Sequence, residues 1–130
     1  MQRVPVVAVA VAIHTAIAIV HGAAHAALGI LPPPLDAVFI LAAVYVLPVA
    51  SVLLIPRDPR AWWVLAIALG AAFAYGAASH FVLSGVDNAV RLPAGGWSAV
   101  FLATTVGLAI FEALGVALGI RHLTAKVPSR

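Results

Sequence analysis

The stretch Val4–Ile30, VPVVAVAVAIHTAIAIVHGAAHAALGI, decides the fold. It is apolar almost throughout and longer than the ~20 residues a helix needs to cross the hydrocarbon of a bilayer. Its only ionisable side chains are His14, His21 and His25. At about 100° per residue, steps of seven and four bring the side chains of His21 and His25 to within roughly 20° of His14. Ionisable groups at membrane depth are costly and face a protein interior, so the stripe marks the inward side of this helix.

Three further segments read the same way: Ala37–Ile55, Ala61–Ser84 and Trp97–Ile120. With 65% hydrophobic and 8% charged residues, the chain lacks the polar surface of a soluble domain. Leu31-Pro32-Pro33-Pro34, Pro56-Arg57-Asp58-Pro59-Arg60 and the stretch Gly85 to Gly96 punctuate the spans. The expectation is an all-α integral membrane protein forming a single domain over residues 1–130. Its four transmembrane helices, at about 4–30, 37–55, 61–84 and 97–120, form an antiparallel up-down-up-down bundle.

Charge sets the orientation. With the N-terminus inside, Arg3, Arg57, Arg60, Arg121, Lys126 and Arg130 are cytoplasmic and Arg91 alone is outside, so both termini are expected in the cytoplasm. Trp62, Trp63 and Trp97 fall at span ends, where aromatic belts form. The expected location is a prokaryotic plasma membrane. The basic residues are scattered between spans, so a nucleic-acid partner is not expected. Ala24-His25-Ala26 resembles a signal-peptide cleavage site, but the apolar run exceeds a signal peptide's core, and the segment reads as a retained span.

Small residues permit close helix approach. Gly115 and Gly119 form a GxxxG pair on the fourth span; Ala18, Gly22 and Ala26 supply small positions on the first, and Gly70, Ala72, Ala74 and Gly76 on the third. Pro48 is expected to bend the second span, which carries no charged residue and reads as a wall or an oligomer contact. The chain is expected to work as a homo-oligomer or as a subunit of a larger membrane complex.

Helical rise of ~1.5 Å per residue converts position to depth. His21, His25 and His80 then fall together toward the outer side, and His14 and Glu112 fall together nearer the centre. The outer trio can ligate one metal ion, two histidines coming from i and i+4 of one helix and the third from a facing helix. Alternatively, His80 and a first-span histidine can be the axial ligands of a haem b. Ser84 is the expected partner for the second nitrogen of His80. Glu112, the only acid within a span, should be partnered or uncharged there. His14 is its natural partner, with Thr104 and Thr105 within reach, and the pair is a candidate proton relay. A purely structural role, fixing the packing of the first and fourth helices, accounts for the same residues. His122 is expected at lipid headgroups, and Asp87 as a solvated or capping loop acid that could reach back toward the histidines.

Absences narrow the chemistry. The chain has no cysteine, which excludes disulfides, thiolate metal sites and iron–sulfur clusters. No lysine lies within a span, no phosphate-binding loop follows a strand, and no nucleophile–base–acid set can be argued from spacing. Four helices with membrane histidines resemble small b-type cytochromes and haem- or copper-linked respiratory accessory subunits. The resemblance implies a membrane redox or metal-site protein, a respiratory-chain-type subunit holding haem b or a copper, zinc or iron ion. A small transporter or channel component passing protons or metal ions is the alternative from another class, and a structural subunit a third.

Overall fold

The computed structural model describes residues 3–124, apart from the side chain of Arg3; Lys126 and Arg130, two of the charges that set the expected orientation, lie outside the described residues. Among the described residues the chain is all-helical, with no strand and with four helices long and apolar enough to cross a membrane. We label them α1 (Arg3–Ala27), α2 (Pro34–Leu54), α3 (Ala61–Val82) and α4 (Gly96–Thr124).

The helix ends differ from the sequence reading for local reasons. Gly29 adopts φ 70°, and it stops α1 at Ala27 rather than at Ile30. The Ile30 N–H donates to the His25 carbonyl and the Gly29 N–H to that of Ala26, a Schellman closure that turns the chain back over the helix end. Conversely, α2 begins at Pro34, three residues before the expected start. Proline suits a first helical turn, whose N–H would lack an intrahelical partner anyway.

Two π-helical stretches interrupt the α pattern. Leu41–Val46 precedes Pro48, and the Leu47 N–H donates to the Ala42 carbonyl five residues back. Proline offers no N–H and its ring crowds the preceding turn, so widening that turn accommodates it. The other stretch, Ala78–Val82, closes α3 with the Leu83 N–H on the Ala78 carbonyl at 2.7 Å. It carries His80. Wide turns of this kind reorient side chains and recur at functional sites.

Polarity is arranged inside out. Leu41, Leu53, Ile67, Ile110 and many other large apolar side chains are exposed, whereas His14, His21, Ser51, His80, Thr105 and Glu112 are buried. Such a surface suits hydrocarbon, and it leaves the polar groups to pair with one another. Helix α4 packs along both α3 and α1, and α2 leans on α3. Gly119 approaches Ala66 and Trp62, Gly115 approaches Leu69, and Gly107 approaches Ile17. At one end Val7, Val11, Ile55, Trp62, Leu65 and Leu69 form an apolar core. The histidine group lies away from that core, bounded by the chain segments around Ile30 and Asp87.

Candidate metal centre

Four rings meet between α1, α3 and α4. The His21, His25 and His80 ring centroids lie 4.7, 5.3 and 5.6 Å apart in pairs. Phe101 of α4, fully buried, is 4.7, 4.8 and 4.9 Å from them in the same order. One ring nitrogen from each histidine falls within 4.8 Å of the others, a group able to hold a metal ion.

Each histidine is gripped through Nδ1. The Schellman turn brings the Ile30 carbonyl to 3.0 Å from His25 Nδ1. A carbonyl only accepts, so His25 carries its hydrogen on Nδ1 and presents a lone pair at Nε2. His80 follows the same logic: its Nδ1 faces the Asp87 carbonyl at 3.2 Å and the Asp87 carboxylate at 3.4 Å. His21 Nδ1 lies 2.9 Å from the Thr104 hydroxyl, which is itself 2.7 Å from the Val100 carbonyl. With the hydroxyl hydrogen on that shorter contact, Thr104 accepts from His21 Nδ1–H.

The consequence appears where the rings meet. His21 Nε2 and His25 Nε2 are 3.2 Å apart, and with both Nδ1 atoms protonated two lone pairs face each other. In that tautomer a metal ion between them makes the contact favourable; in the other, with Thr104 donating to His21 Nδ1, the His21 Nε2–H donates to His25 Nε2. Zinc–imidazole bonds of about 2.0–2.1 Å at tetrahedral angles separate ligand nitrogens by about 3.3–3.4 Å, close to this spacing. Partners on the second ring nitrogen, from carbonyls and carboxylates, are the usual support of metal-ligating histidines.

The loop after α3 makes His80 part of the group. Leu83 turns to extended backbone, so Ser84 does not continue the helix above His80, and Asp87 takes the role expected of Ser84. Buried Asn88 pins this return, donating to the Leu83 carbonyl at 2.7 Å and accepting from the Val90 N–H at 3.1 Å. Asp87 is therefore a partner of His80 rather than a solvated or capping acid.

Deeper in the bundle, His14 Nε2 lies 3.4 Å from Glu112 Oε1, with the two residues 1% and 5% exposed. The expected pairing is present without the threonines. Thr105 donates to the Phe101 carbonyl, and Thr104 serves His21. His14 Nδ1 is buried with no partner. His122 stacks on Trp62, centroids 4.3 Å apart, rather than reaching only toward headgroups.

A cavity of about 540 Å³ borders all three histidines and extends to Glu112. Tyr45, Asp36 and Tyr75 line it as well, none of them evident as site residues from the sequence. The Tyr45 hydroxyl donates to the Ala18 carbonyl at 2.8 Å, and that of Tyr75 to Asp36 at 2.9 Å. The position of Asp36 in the first turn of a helix that opens on proline was the one available signal for it. The chain matches no known protein-family model, no curated protein and no solved structure.

Proposed function

We propose that the protein is a membrane metal-site protein holding one zinc, copper or iron ion through His21, His25 and His80. The carrying observation is the convergence of three histidines whose Nδ1 atoms are each held from behind. Three nitrogen ligands leave a coordination position open, the pattern of reactive rather than closed structural sites, and here a cavity borders them. The group's compactness favours an ion over haem b. Axial histidines stand on opposite faces of a macrocycle, whereas these rings pack against one another and against Phe101.

In this reading the His14–Glu112 pair moves protons beneath the ion. Between the two stations the cavity wall is mainly apolar, which supports a held ion over one passed across the bilayer. The test is the metal content of the full chain purified in mild detergent, stripped by chelator and reloaded. One tightly retained equivalent per chain is expected. A preparation that never holds more than trace metal would leave the histidines a packing role.

The bundle is proposed to run up-down-up-down with both termini cytoplasmic. His14 with Glu112 and His21 with Thr104 support opposite directions for α1 and α4, because one number rises as the other falls. Since the chain has no cysteine, single substitutions report sidedness cleanly. Val86→Cys is expected to react with an impermeant maleimide on intact cells, and Asp58→Cys only after lysis. The reverse pattern would invert the topology.

A further inference from the structure

The cavity joins two polar stations through an apolar waist. At one end are the three histidines, and at the other Glu112, whose Oε1 faces His14 and whose Oε2 is left for another partner. His14 precedes His21 by seven residues of helix, so the stations are ~10 Å apart along α1. Ala18, Gly22, Ala72, Gly76 and Ala109 line the space between them, and the Tyr45 hydroxyl, which reaches this stretch of α1, is taken up by the Ala18 carbonyl at 2.8 Å. A Cβ added at Gly76, one turn below His80, would meet nothing, so that part of the space is open. Ordered water needs two to four polar partners, and these walls offer few. The rim includes Phe73 and Phe81, both exposed on the lipid-suited surface. The natural occupant therefore arrives from the bilayer, is apolar in its body, and carries oxygen at both ends.

We propose that this cavity binds a membrane-soluble quinone or quinol. One ring oxygen takes the open position on the histidine-held ion and the opposite oxygen hydrogen-bonds Glu112. The two ring oxygens of a para-quinone are about 5–6 Å apart. A metal–oxygen bond of about 2 Å and a hydrogen bond of about 2.8 Å extend this to ~10 Å, comparable to the rise along α1 from His14, which faces Glu112, to His21. Gly76 of α3 leaves space for a flat ring, which would lie beside the Tyr45 hydroxyl that faces Gly22 of α1, and the tail leaves past Phe73 and Phe81. Neither a proton wire nor a simple acyl chain matches both polar ends and the apolar waist. The proposal rests on the metal reading, because one of its two anchors is the ion.

The experiment uses the full chain in phosphatidylcholine–phosphatidylglycerol nanodiscs, loaded with zinc. Titration with a two-isoprenoid ubiquinone is compared with geraniol, which has the same tail without the ring. Zinc is measured in every sample by atomic emission. The expected result is one saturable quinone per chain, bound at least tenfold more tightly than geraniol. Gly76→Leu and Ala109→Leu should each weaken quinone binding at least tenfold while zinc is retained. Retained zinc with no saturable quinone, with geraniol bound equally well, or with both variants binding like the parent would overturn the proposal and leave the metal reading standing. A parent protein that holds no zinc, copper or iron would sink the metal reading and this one with it.

Discussion

His21→Ala protein is expected to lose its metal, with affinity falling by more than ~100-fold while helical content stays unchanged. Losing a supporting partner alone typically lowers metal affinity 10–100-fold, and losing a ligand must exceed that. His21 also lies nearest to the other two, its ring 4.7 Å from that of His25 and 5.3 Å from that of His80. Thr104→Val should show the smaller effect, about 10–100-fold, because it removes only the acceptor for His21 Nδ1–H. His122→Ala, which loses a ring stacked on Trp62 away from the group, should leave metal binding alone. A structural role predicts something else: an interhelical hydrogen bond in a bilayer is worth about 0.6–2 kcal/mol, so His21→Ala would cost modest stability and no metal. Metal content, measured beside a thermal melt, separates the two. Equal metal retention by His21→Ala and the parent would end the ligand assignment.

The spans could be read because hydropathy is a bulk property, insensitive to where any one side chain points. Their ends could not, because they turn on single residues: φ 70° at Gly29 and the tolerance of a first helical turn for Pro34. The same division runs through the site. His14, His21 and His25 share a face by helical period alone, and rise per residue brings Glu112 level with His14. Phe101, Thr104 and Asp87 needed information that periodicity lacks. The first two depend on the rotation of α4 against α1. Asp87 depends on the chain leaving helix at Leu83 and folding back under the grip of Asn88. A helical extrapolation from His80 puts Ser84 one turn above it, which is why Ser84 looked like the partner. The π turns were equally hidden: Pro48 announces strain in α2, but the sequence around His80 contains no proline to announce the second one.

The largest effect on the fold itself is expected from Gly119→Leu. Of the α4 glycines, Gly119 faces the least forgiving surroundings. A Cβ there would stand 2.8 Å from the Ala66 Cβ and 3.3 Å from the Trp62 carbonyl oxygen. Neither is the end of a flexible side chain, so α3 and α4 would have to move apart. Gly115 differs, because its added Cβ would run into the Leu69 side chain, which can change rotamer. Forced overpacking costs about 1–3 kcal/mol where neighbours can shift and more where backbone must. We therefore expect Gly119→Leu to lose at least ~3 kcal/mol, and Gly115→Ala to lose less. The disturbance would reach Trp62, Leu65 and Leu69, the apolar core away from the histidines. Unfolding in mixed micelles of mild detergent and dodecyl sulfate would measure both variants. Gly76→Leu serves as the comparison, because it makes the same change on a membrane helix where an added Cβ meets only open space. If Gly119→Leu unfolded at the same dodecyl sulfate fraction as Gly76→Leu, α3 and α4 could not be packed backbone to backbone at this point. The GxxxG pair would then have to serve a contact outside the chain.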